Sequence, residues 1–143
     1  MKYIRTHIVE AEPMTRGQYH NGPDMLSVEA AAEEGYFIQY PDGYKSWCPK
    51  ASFEASGRPI DGMTFGQAIE ALKQDKKVAR KGWNGKGMYL FLADAVRLQT
   101  NAVEEKEHEV MPCIVMKTAQ DNLQPGWLAS QNDMLSDDWT LVD

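Results

Sequence analysis

Between positions 80 and 88 the chain reads Arg-Lys-Gly-Trp-Asn-Gly-Lys-Gly-Met. Residue types at this spacing suit the capture of an anion beside a flat ring. Three glycines within residues 82–87 admit positive φ angles and leave backbone N–H groups uncovered, so Asn84, Gly85, Lys86 and Gly87 can form a nest of donors. Arg80 brings a bidentate fork, Lys86 a point charge, and Trp83 an indole face. A second segment, Trp127-Leu-Ala-Ser130-Gln131-Asn-Asp133, sets another indole ahead of a short helix whose N-terminus can receive a polar ligand edge or a phosphate. Plain readings stand beside each: Trp83 packed under its hairpin, Lys86 pointing to water, and a cap that only closes a turn.

Positioning these residues requires a small antiparallel sheet with one good helix. Thr64 with Gln67 three residues on forms a capping box, and Phe65, Ala68, Ile69 and Leu72 recur on one helical face. The basic run Lys76, Lys77, Arg80, Lys81 is broken by Val78 and Ala79, which suits a short strand. Asn84-Gly85 signals a hairpin, and Met88, Leu90 and Leu92 alternate with Tyr89 and Phe91 along the returning strand. Residues 93–109 carry the run Glu104-Glu105-Lys106-Glu107-His108-Glu109, read as a solvated loop or hairpin tip, with His108 an exposed histidine rather than a ligand. A strand is expected over residues 110–119, with Pro112 near its start. A turn over residues 121–126, a short helix capped by Ser130 with Asp133 at its third position, and a strand over residues 137–142 complete this half.

The first sixty residues read differently. Residues 3–11 alternate as a strand ended by Glu12-Pro13, and Thr15 with Gln18 caps about one helical turn. Tyr36, Ile38 and Tyr40, the turn Pro41-Asp42-Gly43, and Tyr44, Ser46 and Trp47 make an aromatic hairpin, followed by a short helix over residues 49–53. The aromatic residues suit a base-stacking platform, but cross-strand aromatic pairs also stabilise small sheets by about 0.2–1 kcal/mol each, which favours a core role. A module of this size is near the limit of independent stability, since a 60-residue chain buries only about 60% of its unfolded surface. The fold class is thus α+β: a small antiparallel sheet with a capped helix over residues 63–143, carrying an acidic insertion at about 94–109, preceded by a β-hairpin-rich module over residues 1–60.

Charge narrows the partners. The 143 residues hold 15 basic and 21 acidic side chains, net −6, which argues against a general nucleic-acid binder. Residues 63–92 alone are basic, with 6 cations against 2 anions, while residues 93–143 hold 3 against 10. Cys48 and Cys113, 65 positions apart, imply reduced thiols rather than a disulfide framework. The start MKYIRTH lacks the apolar core of a signal peptide and no run reaches membrane-span length, so a soluble, intracellular protein is expected. Enzyme chemistry finds little footing. The glycine turn lacks Walker spacing, Pro112-Cys113 has Met at position 116 where a zinc deaminase needs Cys, and three scattered histidines assemble no metal site.

Taken together, MTFGQAIEALKQDKKVARKGWNGKGMYLFL and MPCIVMKTAQDNLQPGWLASQNDMLSDDWTLVD resemble the Thoeris anti-defence protein 2 family of phages, over about residues 63–143. The features that carry the likeness are the capped helix, the R-x-G-W-N-G-K-G turn, Met116-Lys117-Thr118, W-L-A-S-Q from Trp127, and the closing Asp-Trp. GYFIQYPDGYKSWCPKASFEASGRPI resembles a small module of tailed-phage accessory proteins. The first resemblance implies a non-enzymatic sponge in the host bacterial cytoplasm: a homotetramer without cofactor, with pockets between protomers, that binds glycocyclic ADP-ribose and, in some members, cyclic dinucleotides at separate sites. The N-terminal module and the acidic segment depart from the family pattern. On the matched positions the candidate ligand set is Arg80, Trp83, Asn84, Gly85, Lys86, Gly87, Met88, Thr118, Trp127, Ser130, Gln131 and Asp133. Trp83 and Trp127 would stack on the base, Arg80 and Lys86 would meet the phosphates, and Asn84, Thr118, Ser130, Gln131 and Asp133 would read hydroxyls and base edges. The alternatives are a nucleotide-processing enzyme and a phage structural or protein-interaction module.

Overall fold

The computed structural model describes residues 1–2, 6–20, 26–93, 96–98 and 108–143. The chain divides into two compact units, Met1–Arg58 and Pro59–Asp143.

The first unit is a three-stranded antiparallel sheet in the order β1-β2-β3, with three short helices. Strand β1 spans Glu10–Thr15, α1 Arg16–Tyr19, α2 Val28–Ala31, β2 Glu34–Gln39, β3 Lys45–Pro49 and α3 Lys50–Glu54. The capping box at Thr15 and Gln18 forms and supports a single turn. Of the strand expected over residues 3–11, residues 3–5 lie outside the described residues; β1 begins at Glu10 and runs through Pro13 instead of ending there. Among the described residues it is an edge strand paired with β2 alone, so a residue without an N–H is tolerated within it. Helix α2, capped by Ser27, is an addition to the sequence reading. Tyr36 stacks on Phe53 at 4.4 Å, and the Trp47 indole N–H donates to the Met14 carbonyl at 2.8 Å, so these two hairpin aromatics hold the unit together.

In the second unit helix α4, Phe65–Leu72, begins at the Thr64–Gln67 capping box, both halves of which are formed. Its buried residues are Ala68, Ala71 and Leu72. A five-stranded antiparallel sheet follows in the order β10-β4-β5-β8-β9. Its strands are β4 at Lys77–Arg80, β5 at Tyr89–Ala93, β8 at Cys113–Lys117, β9 at Leu123–Pro125 and β10 at Trp139–Val142. Between β5 and β8, strands β6 (Val96–Leu98) and β7 (His108–Val110) pair as a separate two-stranded ribbon. The rest of the acidic insertion, residues 94–95 and 99–107, lies outside the described residues.

Register pairs Leu141 with Val78, Val78 with Leu90, and Leu90 with Met116, which puts these side chains on one sheet face. Helix α4 covers that face, with Phe65 against Trp139 at 5.4 Å between ring centres. Trp139, Leu72, Leu90 and Val78 are the largest fully buried side chains, the three aliphatic ones worth about 1.5–3 kcal/mol each on full burial. The strand expected over residues 110–119 is shorter, and the expected turn at 121–126 contains β9. Because β9 and β10 are opposite edges, the connection 126–138 must cross the whole sheet, and it carries α5, Gln131–Met134.

Candidate functional site

Two connections meet over the start of β10: the turn from β4 to β5, residues 81–88, and the crossing segment with α5. Arg80 ends β4 opposite Trp139, whose indole is fully buried. Next to that indole lie Trp83, at 5.5 Å and 77°, and Trp127, at 6.2 Å and 80°. Trp83 and Trp127 are themselves 6.0 Å apart, edge to face. Edge-to-face rings at such separations attract through their quadrupoles by about 0.5–1.5 kcal/mol per pair beyond area burial. Both outer tryptophans stay half-buried.

Arg80 ties the two connections together. Its Nε donates to Asp138 Oδ1 at 2.7 Å and its Nη2 to Asp138 Oδ2 at 3.3 Å, a bidentate fork. Its Nη1 donates to Asp133 Oδ1 at 2.9 Å. The Arg80 side chain is only 9% exposed. Asp138 also accepts the Gly82 backbone N–H at 2.9 Å, which pins the entry to the glycine turn. Asp133 is more heavily bonded. Its Oδ1 also accepts the Trp83 indole N–H at 3.3 Å, and its Oδ2 accepts the Ser130 N–H at 3.0 Å and hydroxyl at 2.6 Å. Its own backbone carbonyl accepts the Trp139 indole N–H at 3.0 Å.

These contacts set the charges. Arg80 is raised above its ordinary value, by Asp138 first and Asp133 second. Asp138 is held below the usual carboxylate range, chiefly by the Arg80 fork, with the Gly82 N–H adding and burial opposing. Burial alone would raise Asp133; the bonds from Ser130, Arg80 and Trp83 outweigh it and bring the carboxyl down to about 2. At the start of the four-residue helix α5 the capping box engages two amides: Ser130 Oγ accepts from the Asp133 N–H, and Asp133 Oδ2 accepts from the Ser130 N–H.

The tip of the glycine turn contrasts with this closed network. Asn84 and Lys86 are exposed, and no ion pair or side-chain hydrogen bond engages them among the described residues. The N–H groups of residues 84–87 donate to no backbone carbonyl among the described residues, whereas the Trp83 N–H returns to the Arg80 carbonyl at 3.3 Å. Gly87 sits at φ +70°, in the left-handed region glycine favours. Gly85 is packed so closely that a Cβ there would lie 2.1 Å from Met88 Sδ and 3.1 Å from Ala119 Cβ. The turn therefore rests on the end of β8. Lys117 reinforces it by donating to the Gly87 carbonyl at 3.4 Å while pairing with Asp121 at 2.9 Å.

A family model described as Thoeris anti-defense 2-like domain matches residues 63–142. The chain belongs to this family. A protein of Bacillus phage SP01 named Thoeris anti-defense 2 is 39% identical over 84 residues, 56% of this chain and 94% of that protein. The Thoeris anti-defense 2-like domain thus takes in the helix α4, the five-stranded sheet and every candidate residue, and leaves the first unit outside it.

Within this domain the candidates separate into three groups. Trp83, Trp127, Arg80 and Asp133 converge on the buried Trp139, and Ser130 joins them through Asp133. Asn84, Gly85, Lys86, Gly87 and Met88 form the turn beside β8. Thr118 closes the turn into β9, its Oγ1 accepting the Asn122 N–H at 3.2 Å, while Gln131 is exposed at the start of α5. Asp138 and Trp139 organise the first group, although the sequence marked them only as part of a terminal strand and of the family's closing Asp-Trp pair, and neither stood among the candidate ligand residues. Their role has no local signal, because Arg80 lies 58 residues before Asp138. An open hollow of about 330 Å³, lined by Met14, Gln18, Tyr36, Lys50 and Glu54 among others, belongs to the first unit and contains none of the candidates. Among the described residues no cluster of His, Cys, Asp and Glu could hold a metal ion, and no helix is long and apolar enough to cross a membrane.

Proposed function

We propose that this anti-Thoeris protein binds a small nucleotide immune signal, of the glycocyclic ADP-ribose type, and holds it intact away from its effector. One observation carries the reading: two half-buried indoles, Trp83 from the glycine-rich turn and Trp127 from the crossing segment, lie edge to face beside a turn whose exposed Lys86 has no ion-pair partner among the described residues and whose amides at residues 84–87 donate to no backbone carbonyl among them. Trp83 and Trp127 offer stacking surface for an adenine, worth about 1–3 kcal/mol per base. Lys86 and the amides of residues 84–87 offer donors for a pyrophosphate, and Asn84 and Gln131 offer polar contacts to ribose hydroxyls. Arg80 contributes differently from a phosphate-reading arginine. Three of its N–H donors already face Asp138 and Asp133, so it braces the turn from beneath. Nothing at this site provides an activated nucleophile: its carboxylates are ion-paired to Arg80, and both cysteines lie outside the candidate set. Family membership supports the anti-defence role; the sponge mechanism, the ligand and a tetramer with shared pockets are proposed with it.

The test is to incubate the protein with glycocyclic ADP-ribose, remove free ligand, denature, and chromatograph what is released. Recovery of unmodified ligand in proportion to protein is expected, and Trp83→Ala should lower retention at least tenfold with the native mass of the assembly unchanged. Release of a reaction product would make the protein an enzyme. No retention of this signal or of cyclic dinucleotides would leave an interaction module.

A further inference from the structure

We infer that Asp133 is the positioning residue of the binding site, setting the Trp83 ring in place through its indole N–H rather than touching ligand itself. Its carboxylate is consumed internally. One oxygen receives Trp83 Nε1 and Arg80 Nη1, and the other receives the N–H and hydroxyl of Ser130. The side chain is 13% exposed, which leaves little of it for a ribose hydroxyl. Meanwhile its backbone carbonyl receives the indole N–H of Trp139. A single residue thus orients two of the three clustered indoles from two different atoms, and Trp127 is confined by edge contacts to both. Trp83 follows directly after Gly82 in a glycine-rich turn and has no strand pairing of its own. The bond to Asp133 is what converts a turn residue into a fixed ring. Fixing the ring before binding removes an ordering cost at the moment of capture.

This role presupposes that Trp83 meets the ligand as proposed above. The experiment therefore has one arm that needs no ligand. With ¹⁵N-labelled full-length protein, the Trp83 indole N–H signal is identified by its loss in Trp83→Phe. In Asp133→Ala that signal should move to the position of a solvent-exposed indole and exchange with solvent faster. Asp133→Glu, which retains a carboxylate at the third position of the capping box, is the variant to use if the alanine form does not fold, and it should also shift the signal. The second arm measures glycocyclic ADP-ribose affinity in a double-mutant cycle. Asp133→Ala should weaken binding about tenfold in the wild-type background and less than twofold in Trp83→Phe. An unmoved indole signal overturns the positioning role, as does an equal affinity loss in both backgrounds, which would mean direct contact between Asp133 and ligand. If the wild-type protein binds no nucleotide, the proposed function fails while the indole signal still decides what Asp133 does.

Discussion

Replacing Arg80 with methionine isolates the electrostatic joint between the glycine turn and the crossing segment. Methionine keeps much of the apolar stem, so packing changes little and the loss is mainly that of three N–H···O bonds. Two carboxylates are then left facing each other's surroundings without their shared cation. Asp138 is 31% exposed and can hydrate, retaining the Gly82 N–H; Asp133, at 13%, is less able to, though Ser130 and Trp83 still donate to it. Breaking a buried ion pair from one side costs about 3–5 kcal/mol, and the partial exposure of Asp138 places this case at the lower end, about 3 kcal/mol. For a domain of this size that corresponds to a fall in Tm of about 10 °C or more. Urea unfolding followed by tryptophan fluorescence reports on it directly, since three of the four tryptophans belong to the second unit. The midpoint should fall with the slope unchanged. Arg80→Lys should recover only part of the loss, because an ammonium cannot fork across Asp138 while also reaching Asp133. A loss below about 1 kcal/mol for Arg80→Met would refute the assignment of Arg80 as a brace and return it to the role of a phosphate ligand.

Other outcomes follow from the same geometry. The Asp133 carboxyl is depressed from 3.8 to about 2, so its contribution is fully present above pH 3.8 and disappears as pH falls through about 2. Denaturation between pH 5 and pH 2 should show a loss on the order of 2 kcal/mol, and Asp133→Asn should flatten that part of the profile. Gly85→Ala should cost about 1–3 kcal/mol because its Cβ meets Met88, and Met88→Ala in the same chain should restore part of it, as read from Tm. Lys86→Glu should leave Tm within about 2 °C, as expected for an exposed unpaired cation, while weakening nucleotide binding at least tenfold by calorimetry in low salt.

Much of this protein was legible in short stretches of its chain. Three capping boxes, at Thr15, Thr64 and Ser130, each rest on a donor and an acceptor three residues apart, and all three form. Helix α4 buries Ala68 and Leu72 of the face its periodicity marks, leaves Phe65 and Ile69 half-buried and buries Ala71 besides, and the basic run around Val78 and Ala79 is a strand because both residues are buried in the sheet. Such features are decided by contacts within a turn or two, which the sequence displays directly. Strand β9 was not legible, since Leu-Gln-Pro has no strand pattern and owes its state to pairing with β8.

The candidate site shows the same division. The glycine turn, its amides and its exposed Lys86 could be named from residue types alone. The partners of Arg80 could not. A guanidinium suits a phosphate and a carboxylate equally, and the chain offers ten acidic side chains after residue 92. Asp133 and Asp138 were selected by sheet order: β10 lies beside β4, so the crossing segment must end next to Arg80 and bring its two aspartates and its indoles there. Composition therefore determined that positive charge and indole rings were present. The long-range pairing of β4 with β10 decided that the arginine would be held between two aspartates, while Lys86 in the turn stayed exposed with no ion-pair partner among the described residues.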